Sequence, residues 1–235
     1  ADGAGAADGA GAADIITDFD VVFMGTGVST RLPRLDHVMA GTCPVCTKLV
    51  NSKEYDPNRR NNVSILIKAG GKHIMVDAGK SMFTAVCQCF PKHGVKTVDA
   101  VLLTHGHADA AGGVDDLRDL QQFDRLQDHA GNRVYKLKGS DGLMKVISNQ
   151  KTISEVQRQF PYMFDAIPWA DEAKGLMKRK VAAIEWIPIE DHTDEIPHMP
   201  VPIRSFPVYH GGEYICLAFA IGGNDQNWPF VYISD

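Results

Sequence analysis

Excess basic charge, long apolar runs and a balanced set of cysteines are all lacking in this 235-residue sequence, and each lack excludes something. Lys and Arg number 24 against 29 Asp and Glu, a net charge of −5, which argues against a dedicated nucleic-acid binder. No apolar run reaches the roughly eighteen residues that a spanning helix needs, so no membrane partner is expected. The first residues lack the basic-then-apolar layout of a secretory signal. Five cysteines, an odd number, suit a reducing compartment better than a disulfide scaffold, and a cytoplasmic location is expected. What remains is ordinary: 44% apolar and 23% charged residues, enough for one substantial core.

One stretch stands out, Val101-Leu102-Leu103-Thr104-His105-Gly106-His107-Ala108-Asp109. Its apolar start reads as a buried strand, and its histidines begin where that strand ends. A turn there can aim His105, His107 and Asp109 at one point. Two neutral imidazoles and a carboxylate suit zinc, manganese or iron, and a hydrolase uses such a cluster to acidify water.

Around this stretch the pattern is of strands and turns. Residues 1–14, ADGAGAADGAGAAD, hold nothing large enough to anchor them and are expected to form a flexible low-complexity tail. Strands are expected at Asp20–Met24, from about Val63 to Ile67, and at Lys72–Asp77 after a Gly70-Gly71 hairpin turn. Ser29–Arg60 reads as loop, punctuated by Pro33, Gly41, Pro44 and Pro57. Within it, Cys43 and Cys46 are spaced so that both sulfurs can reach one tetrahedral ion, with His37 as a candidate third ligand of a structural zinc; two plain thiols are the alternative. Helical spacing of Met82, Phe83, Val86 and Phe90 predicts a helix over 81–90, carrying Cys87 and Cys89 as unpaired thiols. Residues 121–200 read as a partly helical insert, with Leu143, Val146 and Ile147, then Ile153, Val156 and Phe160, suggesting two helices. His192 and His198 lie in a Pro-broken loop and are expected to be solvated. Strands follow at Ile203–Tyr209 and Tyr214–Ile221, with His210-Gly211-Gly212 between them, and the last is Phe230–Asp235.

Taken together, Gly25-Thr26-Gly27, Cys43-x-x-Cys46, Arg60-Asn61-Asn62, Asp77-x-Gly79, His105-x-His107-x-Asp109, His210-Gly211 and Ser234-Asp235 resemble the metallo-β-lactamase superfamily. Within it, they look like the branch near the phosphoribosyl cyclic phosphodiesterase and a eukaryotic branch of metal hydrolases. The resemblance implies an α/β fold, the αββα sandwich, over residues 15–235. It also implies a final histidine motif, strand and helix that this sequence does not contain. His105, His107, His210 and Asp235 would hold a first ion, zinc or manganese, and Asp109 with Asp235 would belong to a second. Asp77 would orient a ligand histidine from behind; a helix cap is its other reading. The superfamily pattern continues with a histidine where this sequence has Ala110, so the centre holds one ion or two, with Asp115 and Asp116 as candidates to fill the gap.

The expected function is metal-dependent hydrolysis of a small or cyclic phosphodiester, with Asp109 and His107 as catalytic residues. Arg31, Arg34, Arg59 and Arg60 are candidate phosphate contacts. A thioester or lactone hydrolase, a tRNA 3′-processing nuclease and a non-catalytic binding module with a degenerate centre are the alternatives. The expected partner is the small substrate, with nucleic acid not favoured and a homodimer left open.

Overall fold

The computed structural model describes residues 18–52, 56–138, 142–223 and 227–235. The tail expected at 1–14 lies outside them. In chain order come β1 (Asp20–Gly25), helices α1 (Leu35–Ala40) and α2 (Pro44–Asn51), β2 (Ser64–Ala69), β3 (Lys72–Val76), α3 (Met82–His93), β4 (Ala100–Leu102) and α4 (Ala108–Ala111). There follow β5 (Phe123–Gln127), β6 (Arg133–Leu137), β7 (Met144–Asn149), α5 (Gln150–Gln159), β8 (Trp169–Asp171), β9 (Leu176–Met177) and β10 (Ile184–Ile189). The chain closes with β11 (Ile203–Tyr209), β12 (Ile215–Ile221) and β13 (Phe230–Tyr232).

Six of these strands form one sheet in the order β1-β2-β3-β4-β7-β10, and β11-β12-β13 form a second. The first sheet is antiparallel from β1 to β3 and parallel from β3 to β10. Its central strands are apolar on both faces, as a sheet covered on both sides must be. Ile65, Ile67, Ile74, Val76, Leu102 and Ile147 point inward and meet Ile203, Leu217, Phe219, Ile221 and Tyr232 of the second sheet. Leu66, Met75, Val101 and Val146 point outward, where Met82, Ala85 and Phe90 of α3 and Val156 of α5 cover them. Each such fully buried side chain stabilises the fold by about 1.5–3 kcal/mol over leaving it exposed. Two sheets face to face with helices on the outer face of the larger one make an α/β sandwich, as expected. No described helix is long and apolar enough to cross a membrane.

Local chemistry sets the element ends. Gly70 and Gly71 both take positive φ, 54° and 74°, as a two-residue turn joining β2 to β3 requires. Helix α3 runs to His93, three residues past the expected end: Pro91 is accommodated in its last turn, and Gly94 in the left-handed conformation stops it. At the start of α5 the Asn149 side chain accepts the Thr152 N–H at 2.8 Å.

Two expectations fail. The stretch read as loop at 29–60 contains α1 and α2, which its Pro and Gly residues bound and start rather than exclude: Gly41 ends α1 and Pro44 opens α2. The first of the two helices expected in the insert is strand β7, whose Val146 and Ile147 are both fully buried, one on each face. The insert is partly helical through α5, but β5-β6-β9-β8 form a separate four-stranded sheet within it.

Candidate metal centre

The side chains that the sequence singled out meet at one end of the sandwich, where β4 ends. Past Leu102 the chain leaves the sheet, and the Leu103 N–H still bonds to Ile147 before Thr104 and His105 turn inward. His107 occupies the cap position of the short α4, which places Asp109 in its first turn. His210 follows β11 from the second sheet, and Asp235 lies three residues past β13. Ligand atoms of His105, His107 and His210 lie within 4.8 Å of one another, and so do those of His105, Asp109 and Asp235.

His105 is the hinge of both groups. It is 1% exposed, and its Nε2 is the one buried side-chain nitrogen or oxygen among the described residues with no hydrogen-bond partner. That atom faces Asp109 Oδ1 at 3.8 Å and Asp235 Oδ2 at 3.6 Å. The opposite nitrogen, Nδ1, meets Thr104 Oγ1 at 2.9 Å. Thr104 gives its single hydroxyl proton to Asp77 at 2.9 Å, so Nδ1 carries the proton and donates it to Thr104. The lone pair is thereby left on Nε2, aimed into the cluster. Burial first, and then the neighbouring imidazoles, lower the His105 pKa to about 4 against the pull of Asp109, so the ring is neutral at neutral pH.

The other candidate ligands are more open. His210 Nε2 and His107 Nδ1 approach to 3.2 Å. Asp109 is buried, and a hydrogen bond joins its carboxyl to that of Asp235. Burial, and then Asp109 alongside, push the Asp235 carboxyl up. Two carboxyls sharing a proton form an arrangement that a cation replaces directly. The unpartnered nitrogen of His105, shared by a trio of imidazoles and a trio with two carboxyls, each with ligand atoms within 4.8 Å, fits a divalent ion such as zinc or manganese.

Asp77 lies behind this cluster and is fully buried. It accepts from the Thr104 N–H at 2.8 Å, the Thr104 hydroxyl, the Tyr232 hydroxyl at 2.9 Å and the Ser234 hydroxyl at 3.1 Å. It caps no helix; it reaches His105 through Thr104. Burial pushes its pKa up to about 7, against those four hydrogen bonds. Gly79 lets the loop after Asp77 come close: a Cβ there would stand 1.8 Å from the Asp109 carbonyl oxygen.

The remaining candidates lie elsewhere. His37, Cys43 and Cys46 do come together, with His37 Nδ1 3.6 Å from Cys46 Sγ, between α1 and the start of α2. Asp115 pairs with Arg118 at 3.6 Å, and neither it nor Asp116 joins the ligand cluster. Arg34 holds Asp36, while Arg59 and Arg60 donate to the Leu49 and Pro57 carbonyls, so these three serve their own loops. His192 and His198 are exposed, as expected, as is Cys87. Tyr214, Cys216, Lys151, Glu155 and Gln159 border the centre and were not singled out from the sequence. Tyr214 stacks on His107, and Cys216 Sγ lies 3.7 Å from His105 Nδ1. Only the position of Tyr214, four residues after His210, offered a signal.

Comparison with known proteins places these features in context. The family model described as "Beta-lactamase superfamily domain" matches residues 72–235. An octanoyltransferase of Porphyromonas gingivalis (strain ATCC BAA-308 / W83) is 32% identical over 97 residues, 41% of this chain and 17% of that protein. A ribonuclease Z of Bradyrhizobium sp. (strain ORS 278) is 32% identical over 88 residues, 37% of this chain and 27% of that protein. Among solved structures, a diphosphatase of the PhnP family superposes with a TM-score of 0.57 at 21% identity, over 87% of this chain and 62% of that one. The chain thus spans under a third of the curated relatives it matches.

Proposed function

Since this chain belongs to the beta-lactamase superfamily, we propose that it is a metal-dependent hydrolase acting on a small or cyclic phosphodiester. The observation that carries this reading is the bare, buried Nε2 of His105, facing two carboxylates and two further imidazoles. His105, His107 and His210 would hold the ion together with Asp235, and the residues suit zinc or manganese. When bound, the ion supplies Lewis-acid chemistry, polarising the ester and acidifying water. Ala110 and the distant pairing of Asp115 leave a second ion only Asp109 and Asp235 among the described residues, which favours a single-ion centre.

The chain's own residues do the rest. Asp109, buried and drawn toward the imidazoles, orients a water and takes its proton. His105 stays neutral and fixed through Thr104. His107 is the exposed imidazole of the cluster and would face the substrate. The likeness to a ribonuclease Z supports a phosphodiester, with RNA as a second substrate class, while the octanoyltransferase match of equal identity keeps a thioester or lactone as the alternative. His37, Cys43 and Cys46 are proposed as three ligands of a structural zinc. We read the protein as cytoplasmic.

Metal analysis of protein purified without chelators, followed by turnover of bis(p-nitrophenyl) phosphate, tests this reading. Bound zinc or manganese and a turnover lost in His107→Ala are expected. Absence of metal with no rescue by either ion would overturn the enzyme assignment. Cleavage of a thioester but of no phosphodiester would overturn the substrate class alone, and cleavage of precursor tRNA but not of the small ester would favour RNA.

A further inference from the structure

One stripe of α5 faces the metal loop rather than the core. Thr152, Ile153 and Val156 are buried beneath the helix. Lys151, Glu155 and Gln159, spaced four residues apart and therefore stacked along one side, all reach toward Gly106 and Tyr214. Gln159 Nε2 donates to the Gly106 carbonyl at 2.9 Å. Glu155 accepts the Tyr214 hydroxyl proton, and the same Tyr214 oxygen accepts the Gly106 N–H at 3.3 Å. The ammonium of Lys151 lies 3.7 Å from the centre of the Tyr214 ring. That ring stacks on His107, with centroids 4.8 Å apart and planes 23° apart.

Both polar groups of the Gly106 residue, its N–H and its C=O, are therefore held by this stripe, directly or through Tyr214. Gly106 is the residue between the two histidines of His-x-His, and the approach leaves it no side chain: a Cβ would stand 2.2 Å from Glu155 Oε2 and 2.7 Å from Glu155 Cβ. The Tyr214 hydroxyl is the donor toward Glu155.

We infer that Glu155, Gln159 and Tyr214 form a latch of positioning residues, which fixes the Gly106 peptide and the His107 ring in the orientation the metal centre needs. The inference rests on the metal-hydrolase reading for its purpose, though the latch itself exists in the bare protein. Outer partners of metal ligands typically change affinity by about 10- to 100-fold when removed. Tyr214→Phe keeps the ring on His107 and deletes both hydroxyl bonds. Glu155→Ala deletes the acceptor, Glu155→Gln retains an oxygen to accept the phenol proton, and Gln159→Ala removes only the bond to the Gly106 carbonyl.

Three readouts decide it: zinc or cobalt affinity, the visible absorption bands of the cobalt form, and hydrogen exchange over 105–107 in the metal-free protein. Tyr214→Phe and Glu155→Ala are expected to weaken affinity about tenfold or more, to shift the cobalt bands and to speed exchange at Gly106, with Glu155→Gln close to the parent. Gln159→Ala is the guard against a variant that fails to fold, and should show the same changes at smaller size. Unchanged affinity, bands and exchange in Tyr214→Phe would overturn the latch. A parent protein that takes up neither ion would overturn the metal reading instead, and exchange at Gly106 would still decide whether the latch holds.

Discussion

His105 reaches Asp77 only through one hydroxyl: its Nδ1 donates to Thr104 Oγ1 at 2.9 Å, and that oxygen donates onward to Asp77 at 2.9 Å. The ring's tautomer, and so the direction of its free lone pair, is set two bonds away from the metal side. Thr104→Val deletes the relay and leaves two buried groups short of a partner, a loss of about 1–3 kcal/mol each. Lower thermal stability and metal affinity reduced by about tenfold are expected, measured by calorimetry and zinc titration. Thr104→Ser retains the hydroxyl and should lie near the parent in both.

The metal itself should stabilise the fold. At a free concentration one hundred times the dissociation constant, binding adds about 2.7 kcal/mol, which is about 5–10 °C in Tm for a chain of this size. Zinc added to the metal-free protein should raise the melting point by that order, and His210→Ala should abolish most of the rise. A parent melting point that does not move with zinc would count against the centre.

Asp77 makes stability depend on pH with a definite sign. Its folded-state pKa is raised to about 7 by burial, above the ordinary value of 3.8. Between these values the native state holds a proton that the unfolded chain has lost. Stability from this group is thus complete below the unfolded value and is lost as pH rises through about 7. The metal-free parent, compared with Asp77→Asn, should lose ground on going from pH 5 to 8. A difference that stays flat across that range would contradict it.

Gly79 is the tightest point in the wall of the site. Ala at this position must displace the Asp109 backbone, which a Cβ would otherwise meet at 1.8 Å. A loss of at least about 2 kcal/mol in urea unfolding and weakened metal uptake are expected, since neither backbone can give way cheaply.

Cys43→Ser separates the two proposed ions. Zinc content should fall by about one equivalent while turnover of the small phosphodiester stays within about twofold of the parent, because the Cys43 pair and the His105 cluster share no residue. Unchanged zinc content would leave His37, Cys43 and Cys46 as plain side chains.

Much of this was legible before any coordinates. The apolar run ending in His105, the Gly70-Gly71 turn and the amphipathic α3 are local signals, each written within a dozen residues. The sequence could not reveal β7, because a strand buried on both faces has no alternation, and Leu143, Val146 and Ile147 fit a helix equally well. It also could not reveal Thr104 as the link between His105 and Asp77, nor the stripe Lys151-Glu155-Gln159. Of those side chains only Glu155 is of a ligand type, no spacing in the sequence marks it out, and their meaning comes from where a distant helix lands. His210 and Asp235 were found by likeness to a family, and the structure brings both to His105.

The proposed ligands are divided between the two sheets, with His105, His107 and Asp109 beyond one and His210 and Asp235 beyond the other. Thr104 and Ser234, whose hydroxyls meet at 3.2 Å behind the centre, are 130 positions apart along the chain. Contacts of such span close late in folding, after the local hairpins and helices have formed. An ion met by the nascent chain thus finds only the weak local trio, and full coordination comes with the docking of the sheets. If these residues take an ion as proposed, occupancy would report completed assembly, and the ion would act as a rivet across the sandwich, resisting its opening more than the melting of either sheet.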